Sequence, residues 1–268
     1  MKLVSFNVNS VRKRTAHIAA FAASNGADII ALQETKTEDE FFPAAEFAEM
    51  GFHSEYYGQK THYGVAVLSK LKPSGTVKGI PAEGEQKRFI MCRYETPKGI
   101  LSVINCYFPQ GESRDTERKF TMKREFYTGV AEYIKSNFKE TDLYALTGDF
   151  NVAYTDLDVG IGADSVKRWL KEGKCCFLPE EREWMSKLYS IGMQDTYRLI
   201  HPESDDLFSW FDYRSKGFER EPKRGLRIDT VLVSPALAGL TVGAGIDYAT
   251  RGMDSPSDHC PVWAEFDL

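Results

Sequence analysis

The chain has 268 residues, 42% of them hydrophobic and 27% charged, which allows a sizeable core and excludes wholesale disorder. No stretch approaches the length of a membrane span. The N-terminal MKLVSFNVNSVRKR is no secretory signal, because its apolar run is short and its charges follow it. A net charge of −5 and a pI near 5.7 argue mildly against a nucleic-acid partner, yet binding needs only a local basic face. A carboxylate cluster built to hold a cation would also lower the total. The five cysteines are odd in number and lack a CxxC spacing, so a reducing cytoplasm is the expected setting. The scattered histidines, without HExxH or Cys/His pairing, exclude an ordinary zinc site.

The elements are read in chain order. KLVSFNV (2–8) predicts a first strand. Apolar residues at helical spacing predict a helix over Val11–Ser24, stopped by Asn25-Gly26. ADIIALQE (27–34) and GVAVLSK (64–70) predict buried strands. RFIMCRYE (88–95) and ILSVINCYF (100–108) flank the turn Thr96-Pro97-Lys98-Gly99 and predict a hairpin. A long amphipathic helix is expected over Arg114–Phe138, followed by the strand DLYALTGDF (142–150). Pro179-Glu180-Glu181 opens another helix, with proline in its first turn and acids beside it. LRIDTVLVS (226–234) and CPVWAEF (260–266) close the chain as strands. Hairpins mixed with crossover helices imply two packed mixed sheets covered by helices, in a single domain over residues 1–268.

Polar residues recur where apolar strands end. Asn7 closes the first strand, Glu34 the second and Tyr107 the hairpin's second arm. Asp149 and Asn151 follow LYALTG, and strand alternation would point them to one side with Phe150 opposite. Asp229 lies inside an apolar run, and Ser257-Asp258-His259 precedes the last strand. Each has a plain reading alone: a cap for Asn7, a solvated end for Glu34, a packed ring for Tyr107, a structural imidazole for His259. Together, at one edge of a sheet sandwich, they describe a ligand site at strand ends.

The inventory is that of a phosphoesterase using a hard metal. Glu34, helped by Asn7, Asp149 or Asp258, offers the oxygen ligands that Mg²⁺ takes. Asp149 can hold or deprotonate an attacking water, and Asn151 can orient it. His259 can donate to phosphoryl oxygens, with Asp229 fixing its tautomer.

The motifs LVSFNVNSVR, LQETK, GQKTHYGVAVLSK, INCYFPQGESRD, LTGDFN, DLDVGIG, RWL, GKCCFLPEEREW, FSWFDYRSKGF, RGLRID and PSDHCPVW run the length of the chain. In that order the sequence resembles the exonuclease III / apurinic-apyrimidinic endonuclease family of the deoxyribonuclease I-like superfamily. The resemblance implies a four-layer α/β sandwich, Mg²⁺ or Mn²⁺, and duplex DNA carrying abasic sites or 3′ ends. The implied activities are incision 5′ to an abasic site, 3′→5′ exonuclease, and removal of 3′-phosphate and other 3′ blocks by a cytoplasmic monomer. By motif, Glu34 is the principal metal ligand, assisted by Asn7. Asp149 and Asn151 flank the nucleophilic water, Asp229 pairs with His259, and Tyr107 contacts the scissile phosphate or donates a proton. Phe150 stands where the family pattern often has methionine. The loop Gly217–Arg224 is mixed in charge and longer than that pattern.

Candidate contacts to DNA phosphates are Arg12, Lys60, Arg88, Arg114, Arg214 and Lys216, of which Arg88, Arg214 and Lys216 are the better placed by motif. Trp210, Leu226 and Ile228 are expected to wall a small apolar pocket beside Asp229. Two rival readings are a superfamily phosphoesterase acting on a non-DNA phosphodiester and a catalytically inactive relative that only binds DNA. The Tyr107 and Trp210 motifs oppose the first, and the complete catalytic set opposes the second.

Overall fold

The structure, a computed structural model, describes all 268 residues. Twelve strands form: β1 (Lys2–Asn7), β2 (Ile29–Gln33), β3 (His53–Tyr57), β4 (Val65–Ser69), β5 (Gly75–Lys78), β6 (Phe89–Thr96), β7 (Gly99–Tyr107), β8 (Leu143–Asp149), β9 (Gln194–Asp195), β10 (Asp229–Val233), β11 (Thr241–Ile246) and β12 (Val262–Phe266). The longer helices are α1 (Val11–Asn25), α2 (Ala44–Glu49), α3 (Glu117–Asn137), α4 (Ala163–Lys171) and α5 (Pro179–Ser190).

Two six-stranded sheets result, ordered β11-β12-β1-β2-β4-β3 and β5-β6-β7-β8-β10-β9. Each is mixed: β1 runs parallel to β2 and β7 parallel to β8, while the other pairs are antiparallel. The two parallel pairs are those joined through α1 and α3, because a parallel connection needs a crossover element. The hairpin expected at Thr96–Gly99 forms, with those two residues paired. α1 stops where Gly26 turns left-handed (φ 65°) and its N–H returns to the Ala22 carbonyl.

Strand alternation sorts side chains into four layers. On β1, Val4 and Phe6 pack with Val11, Ile18 and Phe21 of α1. On the outer face of the second sheet, Ile104, Leu146 and Leu232 meet Phe126 and Val130 of α3 and Leu188 of α5. Between the sheets lie Leu3, Ile29, Leu101, Val103, Ala145, Val231 and Val233. Each fully buried aliphatic or aromatic side chain in these layers stabilises the fold by roughly 1.5–3 kcal/mol.

The inter-sheet faces change character along their length. β1 presents Leu3, Ser5, Asn7; β2 presents Ile29, Ala31, Gln33; β7 presents Leu101, Val103, Asn105, Tyr107; β8 presents Ala145, Thr147, Asp149; β10, running the other way, presents Val233, Val231, Asp229. All five pass from apolar to polar toward the same end. Midway, Gln33 Nε2 donates to Ser5 Oγ (3.0 Å) and Asn105 Oδ1 (2.7 Å), while Asn105 Nδ2 donates to the carbonyls of Leu32 and Ala66. The layer is thus dry and apolar at one end, hydrogen-bonded in the middle and charged at the other.

Some expectations are revised. The long helix starts at Glu117 rather than Arg114, because Arg114 N–H bonds the Gly173 carbonyl and leaves the helical path. The strand expected from Leu226 begins only at Asp229; Leu226 makes isolated bridges to Val159 and Trp210 instead. Strands β3, β5, β9 and β11 were not anticipated.

Candidate active site

Register places the central residues. Tyr107 pairs with Asp149 across β7–β8, and Asp149 with Asp229 across β8–β10, so three functional side chains stand in one row. Gly148 makes that row possible. With φ at 147°, a Cβ there would lie 1.8 Å from the Cys106 carbonyl oxygen, so β8 can press against β7 only without a side chain. From the facing sheet come Asn7 at the end of β1 and Glu34 just past β2.

Asp149 and Asn151 do meet, but not by strand alternation. The strand ends at Asp149, and Asn151 turns left-handed (φ 53°). Its backbone N–H donates to Asp149 Oδ1 (2.9 Å) and its Nδ2 to Asp149 Oδ2 (3.2 Å). Phe150 faces the core, as expected, stacked on Phe108 at 4.6 Å. Glu34 and Lys36 are also left-handed, at 52° and 51°. Non-glycine residues held in this region collect at functional sites.

Asn7 Nδ2 donates to both Glu34 Oε1 and Asp149 Oδ2, at 2.9 Å each. Lys36 reaches Glu34 at 2.7 Å. Burial opposes the charge on Glu34, but Lys36 and the Asn7 hydrogen bond outweigh it and hold its carboxyl below the usual range. His259 Nδ1 donates to Asp229 Oδ2 (2.9 Å), and its Nε2 lies 3.8 Å from Asp149 Oδ2. Burial works to lower the His259 pKa; the charges of Asp229 and Asp149 overcome it and favour the imidazolium. Asp149 is pushed upward, by burial first and then by the charges of Asp229 and Glu34, against the pull of His259. Tyr107 is kept a phenol by burial and by the nearby Glu34 charge.

Asp258 stands slightly apart. Its Oδ1 accepts from Asn9 Nδ2 (3.0 Å) and its Oδ2 from the Trp210 indole N–H (3.1 Å). Despite burial, the charge of His259 and these two bonds keep it ionised. Trp210 is therefore half-buried wall rather than core. With Leu226 and Ile228 it lines a cavity of about 170 Å³ that also touches Glu34, Asp149 and His259.

Glu34, Asp149 and His259 bring ligand atoms within 4.8 Å of one another. Two carboxylates converging on one point suit a hard divalent ion. Cys176 lines the same cavity, but burial pushes its thiol up to about 12, so it offers no thiolate to a softer metal.

The basic candidates separate. Arg88 is buried, its guanidinium 4.2 Å from the Tyr63 ring and 4.6 Å from the Tyr107 ring, on a cleft of about 370 Å³. Arg214 and Lys216 are exposed in the turn after Trp210, which Asp212 organises by accepting the Arg214 N–H. Arg12 and Lys60 are exposed and line neither that cleft nor the cavity beside Asp149. Arg114 is engaged by Glu180.

Sequence reasoning missed several contributors, although its motifs contained some of them. Lys123 of α3 is completely buried, paired with Glu181 of α5, and its Nζ donates to the carbonyls of Asn151 (2.8 Å) and Gln110 (3.2 Å). It braces both loops from behind. Asn9 links Asp258 to Lys36, whose Nζ it accepts at 2.7 Å. Trp169 completes the cavity wall.

Comparison with known proteins agrees with this geometry. Residues 4–259 match the Endonuclease/Exonuclease/phosphatase family. The chain is 48% identical to the exodeoxyribonuclease III of Haemophilus influenzae, over 99% of this chain and 100% of that one. A 3′ phosphatase from Neisseria, solved bound to product DNA hairpin, superposes with a TM-score of 0.91 at 36% identity, covering 100% of both chains. An AP endonuclease from Archaeoglobus fulgidus superposes with a TM-score of 0.91 at 32% identity, again over 100% of both.

Proposed function

The chain belongs to the endonuclease/exonuclease/phosphatase family, in its exonuclease III and AP endonuclease branch, and is a nuclease that hydrolyses phosphodiesters; from that premise we propose how it acts and on what. Its substrate is duplex DNA, cut 5′ to abasic sites, trimmed 3′→5′ from its ends, and cleared of 3′-phosphate and other 3′ blocks. The observation that carries this reading is the row Tyr107, Asp149, Asp229, faced by Glu34 and His259 and opening on a small cavity with an apolar wall. We infer a reducing, cytoplasmic setting from five buried, unbridged cysteines, and a monomer from the family resemblance alone; no helix is long and apolar enough to cross a membrane.

Glu34 and Asp149, with Asn7 and Asn151 beside them and Asp258 at the margin, would hold Mg²⁺ or Mn²⁺, which would neutralise charge on the phosphodiester. The protein's own groups do the rest. Asp149, pushed toward holding a proton, positions the attacking water and takes its proton. Asn151 fixes the Asp149 carboxylate and orients the same water. His259, held charged by Asp229, donates to a non-bridging phosphoryl oxygen. The Tyr107 phenol donates toward the phosphate from the other side. Such catalysis depends mostly on positioning and charge.

Lesion choice follows from the wall. An intact nucleotide must unstack and unpair to enter, at a cost of a few kcal/mol; an abasic sugar carries no base to unstack. The wall of Trp210, Leu226 and Ile228 should therefore favour abasic over intact internal sites by about 100-fold in rate, equivalent to about 3 kcal/mol. Frayed 3′ ends enter for the same reason.

The test is a nicking assay on matched abasic and intact duplexes. Cleavage should vanish in excess chelator and return with Mg²⁺, and Trp210→Ala should shrink the abasic preference while leaving the Mg²⁺ requirement alone. Full activity in chelator would refute the metal role. An unchanged preference in Trp210→Ala, Leu226→Ala and Ile228→Ala would make these residues core only.

A further inference from the structure

Beyond the Trp169–Trp210 wall lies a second cavity, of about 230 Å³, lined by Arg168 of α4 and by Arg220 and Arg224 of the long loop. Arg114, Arg182, Arg198 and Arg227 are each paired with a carboxylate, whereas Arg88 and Arg214 are not. Arg168, Arg220 and Arg224 are paired with none. The cavity's one acid, Asp212, accepts the backbone N–H groups of Arg214 and Ser215 and pairs with none of the three arginines. Three cations against one carboxylate leave the concavity with an excess of positive charge that an anion would offset.

The loop that carries two of them is anchored. Arg224 N–H bonds the Gly217 carbonyl at 2.9 Å and closes its neck. Phe218 packs edge-on against Phe211 and Tyr248. Lys223 lies over the Phe218 ring and bonds its carbonyl. Arg220 Nε donates to the Ser215 carbonyl at 3.0 Å, which fixes the guanidinium's direction. Gly162, the N-cap of α4, is left-handed (φ 87°), and a Cβ there would stand in ordinary contact, 3.4 Å, with Arg224 Nη1.

The two cavities share Trp169 and Trp210. Incision 5′ to an abasic sugar puts the scissile phosphate at Asp149 and His259 and the sugar against Trp210, Leu226 and Ile228. Because that wall is shared with the arginine cavity, the sugar's other phosphate, on its 3′ side, has a path past it. We propose that Arg168, Arg220 and Arg224 bind this 3′-side phosphodiester, and so favour internal abasic sites over strand ends. The inference rests on the abasic reading above. A 3′-hydroxyl end has no such phosphate, and in a 3′-phosphate end that group is itself the reacting one. The arginine cavity therefore serves incision and stands idle in trimming and end-cleaning.

The experiment compares wild type with Arg168→Gln/Arg220→Gln/Arg224→Gln on three duplexes. One carries a tetrahydrofuran abasic analogue, the second the same analogue with an uncharged methylphosphonate on its 3′ side, and the third a recessed 3′-hydroxyl end. The triple variant should lose about 30-fold in kcat/KM on the first duplex, the scale of one or two charge-assisted phosphate contacts. Wild type should lose a similar factor on the second, and the variant no more than about threefold further there, because one interaction cannot be lost twice. Digestion of the 3′ end should change less than about threefold, which also shows the variant is folded. Three results overturn the assignment: no loss on the first duplex, an equal loss on the 3′ end, or a variant as sensitive to the methylphosphonate as wild type. A wild type that digests ends but never cuts the abasic duplex would refute the abasic reading, and this inference with it.

Discussion

Arg227 and Asp229 are two residues apart, both buried, and they enter two clusters with opposite chemistry. Arg227 donates to Asp158 Oδ1 and Asp195 Oδ2 at 2.7 Å each, and Arg198 adds a second cation on Asp158. Two cations meet two carboxylates, and Arg227 and Arg198 hold the Asp158 carboxyl below its usual range despite its burial. Asp229 belongs to a group in which four carboxylates, Glu34, Asp149, Asp229 and Asp258, meet three cations, His259, Lys36 and Arg88, and there Asp149 is pushed up. A closed charge balance makes a strut. An open one leaves a deficit that a cation and a phosphate can complete, and an acid poised to take a proton.

The sharpest way to break this comparison is to neutralise one carboxylate in each cluster. Asp149→Asn keeps the shape and removes the proposed base, so turnover should fall by roughly 10²–10⁴-fold. Urea unfolding should show unchanged or slightly greater stability, because a repelled carboxylate has gone. If stability fell in step with turnover, Asp149 would be a structural residue. Asp158→Asn should do the reverse. It strands Arg227 and Arg198, and removing one partner of a buried ion pair costs about 3–5 kcal/mol. At low temperature, turnover per folded molecule should stay within about threefold of wild type. A large loss of turnover with normal stability would show that the strut is part of the catalytic group.

A smaller effect appears with pH, at a carboxyl that belongs to neither cluster. Glu83 is buried just ahead of β6 and accepts the backbone N–H of Arg88 at 2.8 Å. Burial raises its pKa to about 7, against the pull of several backbone N–H bonds. A carboxyl whose folded pKa exceeds its unfolded value stabilises the fold fully below the unfolded pKa, near 4.5, and loses that contribution as pH rises through about 7. Stability should fall by about 3 kcal/mol between pH 4.5 and 8 on this account, and Glu83→Gln should flatten that fall. An unchanged pH profile of the urea midpoint in Glu83→Gln would assign the dependence to other groups.

Much of the sandwich was legible because its strands alternate strictly between two buried faces, and because α1 and α3 show helical spacing. The strands that escaped lack that signal. β3 is only half-buried, β5 is a four-residue edge, and β9 has two residues. β11 carries two glycines, and Gly245 lies so close under the Trp263 ring that a Cβ would sit 2.7 Å from it. The strand-end residues were legible from motif and position. Their supports were not. Lys123 and Glu181 read as solvated faces of two helices until tertiary packing buries them together. The meeting of Asp149 and Asn151 was expected for the wrong reason, since a left-handed turn, invisible in an Asp-Phe-Asn run, does what alternation was credited with.

The smallest effect tests the comparison on the surface, where cations have no carboxylate partner. Arg214 and Lys216 are exposed beside Trp210 and form no ion pair, whereas Arg227 is locked between two aspartates. An exposed cation of this kind adds little to folding, so Arg214→Ala and Lys216→Ala should each leave stability within about 0.5 kcal/mol. On DNA the situation inverts. A free cation that meets a phosphate releases a condensed counterion, and log K then falls with log salt in proportion to the number of such contacts. Each substitution should lower that slope by about one unit, equally on every sequence, because phosphate contacts position the duplex without reading it. The measurement is a fluorescence-anisotropy salt titration on an abasic duplex with Ca²⁺ in place of Mg²⁺ to slow cleavage. A slope that both variants leave untouched would place the duplex elsewhere on the surface. A slope that drops equally when Arg227 is replaced would mean that paired and unpaired arginines cannot be told apart by their neighbours, and the distinction between strut and deficit would fail.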